Sequence, residues 1–153
     1  MRLLITGGCG HIGSYLIRNI LSKKITVVDN LLTQRYTSLF NLQNQIKFSE
    51  MDIDELTVDD LHGHDIVLHL AAITDAAGSF GNKKEMEDVN ITKTKVLIDK
   101  CIEAGVKKFI FPSSTSVYGV AADEVYEDEP KFLNPQSPYA ESKIEIENYL
   151  KES

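Results

Sequence analysis

The sequence predicts an α/β fold, a doubly wound parallel sheet covered by helices on both faces and so three layers deep. Three observations predict it. Short apolar runs alternate with stretches of helical periodicity, the pattern of parallel strands joined by right-handed crossovers. The run "DIVLHLAA" is continuously apolar rather than alternating, as a strand buried on both faces is. The first apolar run also meets the first helical stretch across closely spaced glycines, in "MRLLITGGCGHIGSYL". In sheets of this kind ligands sit beyond the carboxyl ends of the strands, at the topological switch point.

The first strand is Arg2–Thr6, where Leu3, Leu4 and Ile5 form an apolar run ended by glycine. Ile12, Leu16 and Ile20, with Ile17 and Leu21 beside them, then recur at helical spacing. Gly7, Gly8, Gly10 and Gly13 therefore lie at a strand-to-helix turn. They satisfy G-x-G-x-x-G through Gly8, Gly10 and Gly13, and G-x-x-G-x-x-G through Gly7, Gly10 and Gly13. There glycine lets the backbone turn tightly, approach a pyrophosphate and pack helix on strand, and the helix N-terminus favours a phosphate. Loops also collect glycine for turn geometry alone, so the motif needs support. The next segment supplies it. "ITVVDN" reads as a second buried strand, Ile25–Val28, running into Asp29. That acid follows the glycines by about 20 residues, where a carboxylate can accept both hydroxyls of an adenosine ribose. Strand, glycine turn, helix, strand and acid in this order point to a dinucleotide.

The remaining elements follow in order. "NQIKFSEMD" reads as a third strand ending near Asp52, and Thr57 caps a short helix, "TVDDLHG", closed by Gly63. "DIVLHLAA" is the fourth strand. A long helix is expected over Glu85–Ala104, with Val89, Val96, Leu97 and Cys101 inward and Gly105 as its stop. "KKFIFPSS" is the fifth strand, running into a Ser/Thr-rich loop and an acidic segment, "DEVYEDEPKFLNPQSP". Pro138 then starts a final helix, "YAESKIEIENYLKES".

Composition bounds the function. At 153 residues one domain is expected, and 42% hydrophobic with 25% charged residues is ordinary for a globular protein. The formal net charge of −7 argues against a nucleic-acid backbone as partner. No apolar run is long enough for a membrane span or a leader, so neither is expected. Cys9 and Cys101 suggest neither a disulfide framework nor a metal site, and a cytoplasmic location is expected. His62 and His64 flank Gly63 and read as solvated, while His69 reads as a hydrogen-bonded core residue. No metal is expected. The acidic run Asp123–Glu129 reads as a solvated loop whose position after the fifth strand leaves a substrate-side role open.

Tyr139 and Lys143 are four apart on the final helix, so their side chains share a face. An ammonium near a phenol favours tyrosinate and makes a usable general base. A Tyr/Lys pair at this spacing also occurs by chance on helix surfaces. The combination with "SSTSVYG" and the glycine motif is what gives it weight. Ser114, at the end of the fifth strand, could hydrogen-bond the same substrate oxygen.

Taken together these segments resemble the extended short-chain dehydrogenase/reductase family, whose fold is Rossmann-like, and within it the NAD-dependent nucleotide-sugar epimerases and dehydratases. The resemblance covers the whole chain. "ITGGCGHIG" looks like the family's glycine signature, which implies Gly7, Gly10, His11, Ile12 and Gly13 at the cofactor. "VVDNL" looks like its ribose-binding strand end, with Asp29 and Asn30, and "MDI" resembles its adenine-side pair, Asp52 and Ile53. "HLAA" matches the fourth-strand motif, implying that Leu70, Ala71 and Ala72 line the cofactor, and Asn90 matches the family's structural asparagine. "SSTSVYG" and "PQSPYAESK" match the two catalytic segments, most closely those of UDP-glucose 4-epimerases. The resemblance implies catalytic roles for Ser114, Tyr139 and Lys143, with Lys143 also at the nicotinamide ribose. It implies NAD as cofactor, a nucleotide sugar as substrate, and is compatible with a homodimer. Asp29, followed by Asn30, would repel a 2′-phosphate and favour NAD over NADP.

The sequence departs from the family in three ways. Lys93, in "NITKT", replaces a glycine, which concerns helix packing. His11 replaces an aromatic residue and reads as a flat ring beside the turn. Family members also continue into a substrate-binding region that has no counterpart here. Residues 1–153 are therefore expected to form the NAD-binding domain with the catalytic helix, truncated before the substrate region and unable to turn over a sugar alone. The leading expectation is epimerisation of a nucleotide sugar by transient oxidation at C4, with Tyr139 as base. A dehydrogenase, reductase or dehydratase of the same family is the alternative, as is a non-catalytic dinucleotide-binding module.

Overall fold

A computed structural model describes residues 1–20, 24–43, 45–74, 80–120, 124–127 and 129–153. Its chain forms two compact units. The first comprises Met1–Ala71 with Val96–Pro112, and the second Ala72–Lys95 with Ser113–Ser153.

The first unit holds the sheet. Strands β1 (Leu3–Thr6), β2 (Ile25–Asp29), β3 (Ile46–Glu50), β4 (Ile66–His69) and β5 (Lys108–Ile110) pair in the order β3-β2-β1-β4-β5, every pairing parallel. The order turns back at β1 and β4, which places the switch point where the first strand meets the fourth. Helices α1 (His11–Asn19) and α2 (Val58–Leu61), and α4 (Thr94–Glu103) from Val96 onward, belong to this unit.

Period-two alternation along buried strands divides the core between the two sheet faces. Leu4, Val28 and Val67 join Leu61, Leu97, Cys101 and Ala104 on the face carrying α2 and α4. Leu3, Ile5, Ile25, Val27 and Leu68 join Cys9 and Ile17 on the face carrying α1. Each buried Leu, Ile or Val side chain contributes roughly 2 kcal/mol. Among the inward-facing strand positions, Thr6 and His69 are polar and buried, and Thr6 Oγ1 lies 2.7 Å from His69 Nδ1. The His69 ring also stacks against Phe111 and tilts against Phe109, so its expected place in the core holds.

The second unit holds α3 (Lys83–Glu87), a π-helical turn over Asp88–Lys93, 3₁₀ turns at Thr115–Tyr118 and Pro130–Phe132, and α5 (Pro138–Glu152). Helix α5 starts where the sequence placed it: Pro138 occupies the first turn, and the Ser137 hydroxyl accepts the Ala140 N–H. It packs against α3, the π turn and the Thr115–Tyr118 turn.

Several expectations need correction. Val96 is exposed, as is Ile12, although both fit an inward helical pattern. The expected helix over Glu85–Ala104 begins at Lys83 and is interrupted by the π turn. Strands β4 and β5 stop at His69 and Ile110, earlier than their apolar runs. His64 is half-buried rather than solvated: Nδ1 donates to the Leu61 carbonyl and Nε2 meets the Thr26 hydroxyl at 3.0 Å. That burial holds its pKa below the usual imidazole value. Leu21, Asp123 and Asp128 lie outside the described residues.

Candidate functional site

In the first unit the suspected residues collect at the carboxyl edge of the sheet. Gly7 follows β1, Asp29 ends β2, Asp52 lies just past β3, and Leu70 and Ala71 follow β4. The glycine turn has a steric reason at two positions. Gly7 has φ +65°, and a Cβ there would lie 2.5 Å from the Ala71 nitrogen, so the turn after β1 backs directly onto the end of β4. Gly13 sits in the first turn of α1, where a Cβ would lie 2.5 Å from both the Gly8 Cα and its carbonyl oxygen. The helix can thus start close against the turn. Gly10 is the N-cap residue of α1 with no side-chain cap, so the first-turn N–H groups are not closed off by a neighbouring hydroxyl or carboxylate. His11 and Ile12 are exposed at that helix start.

Asp29 is fixed from two directions. Its Oδ2 accepts the Cys9 N–H at 2.9 Å and its Oδ1 accepts the Leu31 N–H at 2.9 Å. The Asp29 carboxylate is therefore locked to the glycine turn itself, with each oxygen retaining a further lone pair. Asn30 reaches from there to Asp52, its Nδ2 at 3.5 Å from Oδ2. Asp52 Oδ1 accepts the N–H of Ile53 at 2.7 Å, and Ile53 is buried. Leu70 N–H continues the ladder to the Thr6 carbonyl, and Ala71 N–H lies 3.4 Å from Thr6 Oγ1. Cys9, inside the turn, is inert. Burial first, then the Asp29 carboxylate, pushes its thiol up to about 11.

In the second unit, Ala72 opens the chain segment, and Asn90 is buried within the π turn. Asn90 Oδ1 accepts the Ile73 N–H and Nδ2 donates to the Ile73 carbonyl, both at 2.9 Å. One side-chain amide thus pairs both backbone groups of a residue just past β4, as a neighbouring strand would. The π turn is what lets a helical residue aim there. The Thr94 hydroxyl donates to the Val89 carbonyl at 3.2 Å, so a side chain supports the end of the π turn.

Ser114 is the N-cap of the Thr115–Tyr118 turn. Its Oγ accepts the Ser116 N–H at 3.2 Å and the Ser116 hydroxyl at 2.9 Å. A hydroxyl has two lone pairs and one proton, so Ser114 is left as a donor. On α5, Tyr139 is half-buried and Lys143 is 7% exposed, with Nζ 5.6 Å from the Tyr139 ring centroid. Burial draws the Lys143 ammonium down to about 8, while the Glu147 carboxylate acts in the opposite sense. A polar cavity of about 450 Å³ is lined by Ser113, Ser114, Thr115, Tyr118, Glu127 and Glu147. Sequence reasoning passed over Glu147 and Ser113. The i, i+4, i+8 spacing of Tyr139, Lys143 and Glu147 was the available signal for the first. Among the described residues no cluster of three or more His, Cys, Asp or Glu could hold a metal ion, and no helix is long and apolar enough to cross a membrane.

Comparison with known proteins agrees along the whole chain. A family model described as the NAD dependent epimerase/dehydratase family matches residues 3–153. A UDP-glucose 4-epimerase of Erwinia amylovora is 30% identical over 162 residues, covering 99% of this chain and 48% of the relative. A dTDP-D-glucose 4,6-dehydratase of Mus musculus is 36% identical over 160 residues, covering 97% of this chain and 45% of the relative. Among solved structures, the UDP-N-acetylglucosamine 4-epimerase of Methanobrevibacter ruminantium M1, in complex with UDP-N-acetylmuramic acid, superposes with a TM-score of 0.91. It is 32% identical, and the match covers 99% of this chain and 49% of that one. The chain spans about half the length of the curated relatives it matches.

Proposed function

The chain belongs to the NAD-dependent epimerase/dehydratase family, and on that premise we propose that it is the NAD-binding, base-bearing part of a nucleotide-sugar 4-epimerase. The observation that carries this reading is the pair on α5: Tyr139 with a buried lysine one turn on, its Nζ over the phenol ring. NAD, when bound, accepts a hydride from the sugar carbon and returns it.

The residues present fit that cofactor. Gly7 and Gly13 occupy positions where a Cβ would fill the turn, and the uncapped start of α1 beside Gly10 suits a pyrophosphate. Asp29, already oriented by Cys9 and Leu31, takes the ribose hydroxyls, with Asn30 beside it. Asp52 and Ile53 serve the adenine side. Leu70, Ala71 and Ala72 line the cofactor, and Asn90 holds the segment after β4 in place. On this reading residues 1–153 are the NAD-binding domain with the catalytic helix.

Tyr139 takes the proton from the sugar hydroxyl at its phenolic oxygen and gives it back when the carbon is reduced. Lys143 stabilises the phenolate and serves the nicotinamide ribose. Ser114, whose lone pairs are engaged by Ser116, donates to the substrate oxygen. The 4-epimerase reading is favoured over a dehydratase by Thr115 and Ser116. The resemblance implies carboxylates at those positions in the family's dehydratases, and hydroxyls are poor acids for a leaving water at neutral pH. The substrate is a UDP- or dTDP-hexose, and an assembly of two copies is compatible with the reading.

The test incubates purified protein and NAD with UDP- and dTDP-hexoses and follows product mass. An isomer of unchanged mass supports the epimerase. Loss of two hydrogens would indicate a dehydrogenase, and loss of one water would overturn the argument from Thr115 and Ser116. Residues 1–153 alone should bind NAD weakly and turn over no sugar, and measurable epimerisation by them alone would contradict the need for a substrate-binding region. In an active protein, Tyr139→Phe should lower turnover at least about a hundredfold while NAD affinity stays within about twofold.

A further inference from the structure

Helix α5 presents three polar residues at i, i+4 and i+8, Tyr139, Lys143 and Glu147, and the third has no role in the chemistry so far described. Its carboxylate is not loose. Glu147 Oε1 accepts a hydrogen bond from the hydroxyl of Ser113, the residue next to Ser114, across 34 positions of sequence. Both Ser113 and Glu147 line the polar cavity that contains Ser114. We propose that Glu147 is a positioning residue: anchored by the Ser113 hydroxyl, its carboxylate keeps the Lys143 cation charged and aligned beside Tyr139. The inference rests on the assignment of Tyr139 and Lys143 made above.

The physical need for such a group follows from burial. Lys143 is 7% exposed, and taking an ammonium out of water favours its neutral form. A neutral lysine would lose the positive charge that stabilises a phenolate. Of the charges on the elements packed against α5, Lys83 and Lys95 are paired with carboxylates. Lys83 pairs with Glu87 at 3.5 Å, and Lys95 pairs with Glu145 at 2.7 Å and lies over the Tyr149 ring. Asp88, Lys84 and Glu85 are exposed, Lys93 is half-buried, and the Thr115–Tyr118 turn brings only a phenol, that of Tyr118. Among the described residues Glu147 is a charge that acts on Lys143, and its sign opposes the burial. The same hydrogen bond ties the helix bearing the base to the loop bearing Ser114. One carboxylate thus sets both the charge of the cation and the spacing of its two neighbours.

The experiment titrates Lys143 directly, by the ¹³Cε shift of labelled lysine, with Lys143→Arg to assign the resonance. In Glu147→Gln the Lys143 midpoint should fall by about one pH unit, and the alkaline limb of NAD affinity should fall with it. Glu147→Asp should recover part of the shift. An unchanged midpoint in folded Glu147→Gln overturns the proposal. If Glu147→Gln does not fold, Ser113→Ala, which keeps the charge and removes its anchor, must lower the midpoint in the same direction, and an unchanged midpoint there also overturns it. The readout is independent of turnover. A Tyr139→Phe protein with normal rate would sink the base assignment while leaving this titration intact.

Discussion

At the scale of single residues, the glycine turn and Asp29 give the most direct predictions. A methyl group at Gly13 meets backbone, which cannot rotate away as a side chain could. Gly13→Ala should therefore lower stability by about 2 kcal/mol and weaken NAD binding at least tenfold, read by urea titration and cofactor titration. A variant with unchanged affinity would remove the close helix start from the proposed phosphate site. Asp29 makes a different prediction. Its carboxylate repels a 2′-phosphate, so NAD should bind more tightly than NADP, and Asp29→Ala should narrow the gap. Equal affinities in the parent protein would contradict this. Because Asp29 also accepts the Cys9 and Leu31 N–H groups, the same variant should loosen the turn and cost affinity for both cofactors.

At the scale of elements, capping and the π turn can be separated from function. Helix α2 is one turn long and starts with a reciprocal cap: Asp60 N–H donates to Thr57 Oγ1, and Thr57 N–H donates to Asp60 Oδ2. Thr57→Ala should cost about 1 kcal/mol in urea unfolding and leave NAD affinity unchanged, since no cofactor-side residue depends on that cap. Asn90 belongs to the opposite case. Asn90→Ala leaves both the N–H and the carbonyl of Ile73 without their partner, at about 2 kcal/mol or more. Hydrogen exchange at the Ile73 amide should accelerate well before global unfolding. If that amide stays protected in the variant, the side-chain amide is not what holds the segment after β4.

At the scale of the whole molecule, the buried lysine sets a pH dependence of stability. Lys143 titrates at about 8 in the folded state against an ordinary value of 10.5, so the unfolded chain binds more protons between those values. Stability then rises with pH across that window, and the penalty is present in full below about 8. It is on the order of 3 kcal/mol. Lys143→Met should accordingly be more stable than the parent at pH 7, lose the rise between 8 and 10.5, and bind NAD poorly. A flat profile in the parent would place the lysine in water rather than in the core. Cys101, whose thiol burial raises to about 12, and Cys9 should both resist alkylation at pH 8 until denaturant is added.

Local signals determined a large share of this protein. The glycine turn, the acid closing β2, the Thr57 cap and the Pro138 start of α5 each depend on residues a few positions apart. For them sequence spacing and spatial neighbourhood are nearly the same thing. Apolar runs located all five strands for the same reason, although they overran the ends of β4 and β5, where hydrophobicity continues after ladder pairing stops. Ile12 and Val96 show the limit of periodicity. It defines a helical face, but whether anything covers that face depends on packing from distant segments, and both residues are exposed. The π turn was likewise hidden, because an extra residue in a helical turn is selected by what Asn90 must reach, the backbone of Ile73. The spacing of Tyr139 and Lys143 was legible in the sequence. The burial that draws Lys143 toward neutrality, and the Ser113 hydroxyl that fixes Glu147, exist only once chain segments far apart in sequence have packed together.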